Sequence, residues 1–292
     1  MIELAYVHNR FCPISEAMVS IEDRGFQFGD GIYEVIAVYS GKPFLLDRHL
    51  ARLWKSAAAI ELTYDFQRKP LEPIIAEGLS RAAIGVDAMV YIQITRGVAP
   101  RSHAIPEAIE PTLVLTFRSL PTVSDELRKR GTSLMTTPDI RWSNCYIKAI
   151  TLLPNVLAKS EALRRGYDDA IFVTDAGEVR ECTSANLFVV HGEELVLPPR
   201  DESILHGVTQ AFLIECAAAI GLKITERSFS ALTMMQADEL ILSSTTAEVL
   251  GVTSVDDKPI ADGRVGAVTQ RLFDEFCSRS RALCRGSAAE AV

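Results

Sequence analysis

Residues 31–62 read GIYEVIAVYSGKPFLLDRHLARLWKSAAAIEL, and the change of period inside this stretch sets the fold class. Its first eleven residues are rich in Ile, Val and Tyr and end at Gly41, as a strand does. From 45 to 62 the apolar side chains Leu46, Leu50, Leu53, Trp54 and Ala57 recur at helical spacing, which predicts an amphipathic helix with that stripe inward. On one side AMVSIED (17–23) reads as a strand. On the other, LEPIIAEGLSRAAIG (71–85) reads as a helix, and MVYIQITRG (89–97) and PTLVLTFRS (111–119) as strands. These elements together predict a mixed α+β domain over 1–118. SLPTVSDE (119–126) breaks the pattern with Pro and polar residues and is expected to link it to a second domain, 127–292.

That second domain is expected to hold strands at TSLMTTPDIRW (132–142), DDAIFVTDAG (168–177), SANLFVVHG (184–192) and DELILSST (238–245). Helices are expected from about Leu152 to Arg165, with Pro154 in the first turn, and over TQAFLIECAAAIG (209–221), closed by Gly221. VGAVTQRLFDEFCSR (265–279) reads as a closing helix, and the tail SAAEAV (287–292) as a frayed end.

With 292 residues, 48% of them hydrophobic and 23% charged, the chain has a globular composition, which excludes disordered and collagen-like classes. A net charge of −8 argues against sequence-independent binding to nucleic acid. The best membrane candidate, AFLIECAAAIG (211–221), falls short of the roughly 20 residues that cross a bilayer, and Glu215 interrupts it. The start, MIELAYVHNRFCPIS, has no basic leader followed by a long apolar stretch. Six cysteines at 12, 145, 182, 216, 277 and 284 lack CxxC spacing, so reduced thiols in the cytoplasm are expected and no metal site.

The phosphate-loop, nucleophile-elbow and HExxH signatures are absent. What remains is a set of individually weak features. Lys148 stands in CYIKAITLL among apolar neighbours; it is either a Schiff-base lysine or a lysine whose stem lies along apolar surface with its head in water. Glu181, opening ECTSAN, could hold a protonated ring nitrogen or be a solvated turn residue. SSTT (243–246), after an apolar strand, and HGVT (206–209), before a helix, could each bind phosphate, or simply make a turn and a cap. Arg101 and His103 could clamp a carboxylate from one side of an extended chain, or lie solvated in a loop. As a set they are the parts of a pyridoxal phosphate enzyme acting on an amino acid.

Five blocks then carry a resemblance: EDRGFQFGDGIYEVI (22–36), YIQITRGVAPRSHA (91–104), DIRWSNCYIKAITLLPNVLAKSEA (139–162), EVRECTSANLF (178–188) and LILSSTTAEV (240–249). In content and order they resemble the D-amino-acid aminotransferases, within the fold-type IV pyridoxal phosphate enzymes. The resemblance implies a smaller N-terminal α/β domain, a larger C-terminal domain with a β-barrel-like core that carries the Schiff-base lysine, and the cofactor where the domains meet. It implies Lys148 as the lysine bonded to pyridoxal 5′-phosphate and as the proton shuttle, Glu181 on the ring nitrogen, and Leu205 against the ring. Arg52, Val208, Thr209, Ser244 and Thr245 would hold the phosphate. Tyr33, Val35, Arg101 and His103 would bind substrate, the last two reaching across from the partner subunit of a homodimer.

The implied reaction is ping-pong transfer from D-alanine to 2-oxoglutarate, giving pyruvate and D-glutamate. A branched-chain L-aminotransferase, an aminodeoxychorismate lyase and an (R)-amine transaminase share the fold and stay open, as does a silent binding protein. Tyr146, Ala149, Cys182 and Ala185 depart from the family pattern around the lysine and the glutamate, and bear on substrate range and turnover.

Overall fold

A hairpin begins the chain: Leu4–Val7 (β1) pairs antiparallel with Arg10–Pro13 (β2). His8 and Asn9 at its tip both take positive φ, 50° and 59°, as a two-residue turn between twisted strands requires. The computed structural model describes residues 3–84 and 87–285, so the tail SAAEAV lies outside the described residues.

AMVSIED, expected as a strand, joins no sheet. Its one pairing is an isolated bridge, Asp23 to Val98, and the Asp23 side chain serves as a cap. The Asp23 carboxylate accepts from the Gly25 amide and starts the one-turn helix Arg24–Phe28 (α1), which Gly29 closes at φ 69°.

Then come Gly31–Tyr39 (β3), Lys42–Pro43 (β4), the helices Leu46–Ala59 (α2) and Leu71–Ala82 (α3), and the strands Ala88–Thr95 (β5) and Thr112–Ser119 (β6). The strands form an antiparallel sheet in the order β2-β1-β6-β5-β3-β4. On β3 the side chains alternate. Ile32, Glu34 and Ile36 are fully buried, while Tyr33 and Val35 are half-buried on the other face.

Helix α2 differs from its expected orientation. Its buried face is His49, Leu53, Ser56 and Ala57, and Trp54 is 59% exposed. The helix is turned so that His49 and Arg52 reach the fully buried Glu34 carboxylate, which would otherwise be an uncompensated charge.

The second part runs Asp125–Arg130 (α4), Thr132–Pro138 (β7), Leu153–Arg164 (α5), Asp169–Val173 (β8), Val179–Cys182 (β9), Asn186–His191 (β10) and Glu194–Leu197 (β11). It continues with Val208–Ala219 (α6), Lys223–Glu226 (β12), Ala231–Met235 (α7), Glu239–Ser244 (β13), Glu248–Val255 (β14), Lys258–Pro259 (β15) and Ala267–Arg285 (α8). The nine strands form one mixed sheet in the order β12-β11-β10-β13-β14-β7-β8-β9, with β15 on β14, curled into a half-barrel. Its core is the aliphatic set around Leu134, Ile171, Leu187, Val189, Leu240 and Val252. Part of the expected linker is helical, because Ser124 caps α4 through the Leu127 amide.

Two compact units emerge. One holds residues up to Leu120, the segment Ile147–Thr151 and the end of α8 from Cys284; the other holds Pro121–Tyr146 and Leu152–Leu283. Lys148, expected in the C-terminal domain, therefore packs with the N-terminal unit. The reason is main-chain pairing: Tyr33 N donates to Lys148 O (3.0 Å), Ile150 N donates to Gly31 O (3.1 Å), and Ala149 bridges Ile32.

Candidate active site

Within the first unit, the extended segment beside β3 fixes Lys148 by its backbone. Its amide donates to Ser56 Oγ on α2 at 3.1 Å, its flanking residues Ile147 and Ala149 are buried, and Nζ stands 4.3 Å from the centre of the Tyr33 ring. Gly31 lets the strand come this close to its neighbour: a Cβ there would fall 2.8 Å from Ile94 O.

Behind these residues lies a buried charged cluster. Glu34 Oε2 pairs with His49 Nδ1 at 2.8 Å, and Arg52 forks onto the same carboxylate through Nε (2.6 Å) and Nη2 (2.8 Å). Burial works to raise the Glu34 carboxyl, but the Arg52 charge and the hydrogen bonds from Arg52 and His49 outweigh it and hold it at about 2. His49 is pushed below its ordinary value, first by burial and then by the cations Arg52 and Lys148, against the pull of Glu34. The cluster is therefore an ionised carboxylate beside a neutral imidazole.

Arg101 and His103 lie on the exposed loop between β5 and β6, against one ring: the Arg101 guanidinium is 4.5 Å from the centre of Phe28, and the His103 ring meets it edge-on at 5.5 Å. Tyr33 packs on Tyr91 at 5.7 Å, with Val35 on the same face of β3.

In the second unit, Glu181 is 5% exposed at the end of β9 and is surrounded by donors. Arg141 Nη1 donates to Oε1 at 2.6 Å, Asn186 Nδ2 to Oε2 at 3.0 Å, and the Leu205 amide to both oxygens at 3.1 and 3.2 Å. Asp139 grips Arg141 through Nε and Nη2, each at 2.9 Å, and Phe172 stacks under the guanidinium at 4.3 Å. Burial disfavours the Arg141 charge, yet Asp139 and Glu181 raise its pKa above the ordinary value. This is a carboxylate held in place by donors on both oxygens, a geometry suited to the partner of a protonated ring nitrogen.

Close by, α6 begins at Gly207, which has no side chain to cap the helix, so the amides of Val208 and Thr209 open the helix at its positive end. Glycine is required there, since a Cβ would sit 2.1 Å from Asn186 Oδ1. The fully buried Gln210 amide and the Ser243 hydroxyl have no partner among the described residues. Unpaired buried polar atoms beside an uncapped helix head fit an anionic group such as a phosphate. Ser244 Oγ accepts from the Ala247 amide at 3.1 Å, which shapes the turn that carries Thr245.

The residues expected from sequence thus fall into two groups, Tyr33, Val35, Arg52, Arg101, His103 and Lys148 in one unit, and Glu181, Leu205, Val208, Thr209, Ser244 and Thr245 in the other. Sequence reading missed Glu34, His49, Ser56, Phe28, Arg141 and Asn186. The one signal for Glu34 was a charge inside the apolar strand GIYEVIAVY; for Arg141 it was an Asp-x-Arg pair ahead of the lysine.

Comparison with known proteins bears on both groups. A family model described as amino-transferase class IV matches residues 31–255. The D-alanine aminotransferase of Listeria monocytogenes is 35% identical over 281 residues, 95% of this chain and 96% of that protein. That of Bacillus licheniformis is 38% identical over 266 residues, 91% and 93% of the two chains. Among solved structures, the T.th. branched-chain amino acid aminotransferase with pyridoxamine 5′-phosphate superposes with a TM-score of 0.87 at 23% identity, covering 96% of this chain and 94% of that one.

Proposed function

Because the chain belongs to the class IV aminotransferase family, we propose that its two residue clusters move an amino group from D-alanine to 2-oxoglutarate, yielding pyruvate and D-glutamate. The protein is a transaminase, and it acts on D-amino acids. The observation that carries the assignment of residues is Lys148. Its backbone is tied to Ser56 and Tyr33, which fixes its amine over the Tyr33 ring.

Lys148 would bond pyridoxal 5′-phosphate, and Glu181, pinned by Arg141, Asn186 and the Leu205 amide, would pair with the ring nitrogen. Leu205 would pack against the ring. The head of α6 at Val208 and Thr209 would take the phosphate, with Ser244 and Thr245 and, as the family resemblance implies, Arg52. The cofactor, when bound, supplies an electron sink for the pair released at the substrate Cα. Lys148 Nζ takes that Cα proton, a transfer that general-base catalysis accelerates by roughly 10² to 10⁴. Tyr33, Arg101 and His103 would hold the α-carboxylate, with Val35 lining the substrate site, and this would fix which enantiomer aims its Cα proton at Lys148. One site serves both half-reactions in turn, so the kinetics are ping-pong.

Arg101 and His103 are exposed, as are the large apolar side chains Ile105, on the same loop, and Ile21 and Phe26, before and within α1, at 50%, 76% and 71%. That supports a homodimer in which these two residues serve the partner's site. The six cysteines are free thiols, in keeping with a cytoplasmic enzyme.

Lys148→Ala is expected to fold and to lose turnover by roughly 10² to 10⁴. Borohydride treatment of wild-type holoenzyme should leave a pyridoxyl mass on the peptide that contains Lys148. Full turnover in the variant, or an unmodified Lys148 peptide, overturns the assignment. Half-reactions with D- and L-alanine separate this activity from that of a branched-chain L-aminotransferase.

A further inference from the structure

Between Arg96 and Pro111 the chain has no helix or strand, yet this is the stretch that carries Arg101 and His103. Two features hold it. At its base, Gly97 at φ 115° passes so near the returning chain that a Cβ would lie 2.0 Å from Glu110 O. Further out, a single buried side chain replaces the missing secondary structure. Arg24, 4% exposed at the start of α1, donates from Nη1 to Ser102 O (2.6 Å) and Ala104 O (3.2 Å), and from Nη2 to His103 O (3.5 Å).

Three successive carbonyls thus converge on one guanidinium, whose planar fork and permanent charge suit it to that task. Arg24 is itself immobilised. Its Nε pairs with Asp30 Oδ2 at 2.8 Å, and the same oxygen accepts from Arg96 Nε at 2.8 Å. Arg96 in turn caps the end of α2 through Glu61 O (2.9 Å) and Ile60 O (2.6 Å). The two cations hold the Asp30 carboxyl below its ordinary range, although burial works against them. Arg24 also lies over the Phe28 ring at 4.9 Å, the ring on which Arg101 and His103 rest.

We propose that Arg24 is the positioning residue of the carboxylate trap: by gathering the carbonyls of residues 102–104 and bracing Phe28, it sets where Arg101 and His103 present their donors, and so controls recognition of the substrate's α-carboxylate. It touches no substrate itself. The inference rests on the reading of Arg101 and His103 given above.

The test uses holoenzyme carrying Arg24→Met, Arg24→Lys, Phe28→Leu, Arg101→Ala, or Arg24→Met with Arg101→Ala. Arg24→Met keeps the stem and removes the donors. It is expected to raise KM for D-alanine by roughly 10- to 100-fold, as loss of charge-assisted hydrogen bonds does, with kcat and cofactor absorbance near wild type. Lysine, which cannot fork, restores KM in part. Trypsin cuts native protein after Arg101 faster in Arg24→Met than in wild type. In the double variant Arg24→Met raises the KM of Arg101→Ala by much less than it raises that of wild type, because Arg24 acts through Arg101 and His103 and only His103 is left to displace.

Wild-type KM with wild-type cleavage, or KM effects that multiply in the double variant, overturn the proposal. So does a parallel fall in kcat and cofactor binding. If Arg24→Met does not fold, Arg24→Lys and Phe28→Leu carry the same expectation, since Phe28 is only half-buried and lies outside the ion pairs. An unchanged KM in Arg101→Ala sinks the carboxylate trap and this inference with it. A raised KM there beside an unchanged one in Arg24→Met sinks this inference alone.

Discussion

Glu34 is a carboxylate with no exposed surface, and the physics of the N-terminal unit turns on keeping it ionised. Both shifted groups of its cluster act in the same direction on stability. With its folded pKa near 2, Glu34 contributes stability that is present above its unfolded value and lost as pH falls through that range, about 3 kcal/mol in all. His49 is held neutral, so the unfolded chain binds its proton first, and stability already starts to fall as pH drops below about 6.5. His49→Asn, which keeps a donor for Glu34 but does not titrate, should remove the decline in denaturation midpoint that begins below about pH 6.5 while leaving the loss below about pH 4.5. An unaltered profile would place the titration elsewhere. At this scale the sequence pointed to the proposed reacting groups more readily than to their supports. Lys148 stood out by its apolar neighbours. Glu34, His49 and Arg141 did not, because a buried charge is legible only with its partner, and these partners are 15, 18 and 40 residues away.

Periodicity located most elements well, since β3, β5, β6 and α6 are decided by their own side chains. It failed where a tertiary partner decides. The face of α2 follows Glu34 and not the apolar stripe, and AMVSIED yields its strand pairing to the capping of α1. The hairpin of β1 and β2 was passed over because each strand spans only four residues. Helix α3 makes the same point about contacts. Its Gly78 seats directly on Phe117 of β6, where an added Cβ would come within 2.0 Å of the ring. Gly78→Ala should gain ~1 kcal/mol of helix propensity and still destabilise the protein by a net 1–3 kcal/mol or so, as overpacking does. Chemical denaturation would show it; a stabilised variant would mean that the helix can shift off the sheet.

For the molecule as a whole, the six thiols and the expected partner subunit give independent measurements. Five cysteines are buried and Cys277 is half-buried. Burial raises the Cys145 and Cys216 thiols to about 11 and also lifts those of Cys182, Cys277 and Cys284. A thiol reagent at neutral pH should label native protein slowly, at Cys277 first, and all six residues after denaturation. Fast labelling of several cysteines would show looser packing than this. If Arg101 serves the neighbouring subunit, mixing inactive Lys148→Ala with impaired Arg101→Ala should restore activity, because each mixed dimer assembles one intact site. No recovery would place both residues in the same chain's site.

The pairing of 147–151 with β3 has a last consequence, for engineering. The polypeptide passes from one body to the other at 120, 146, 151 and 283, so neither body is an unbroken stretch of gene. Cutting the reading frame at the apparent seam would strand Lys148, the proposed reactive lysine, on the wrong fragment and leave the first fragment's sheet without its added edge. Fragment exchange between homologues is expected to succeed only when this five-residue insert travels with the N-terminal portion it completes.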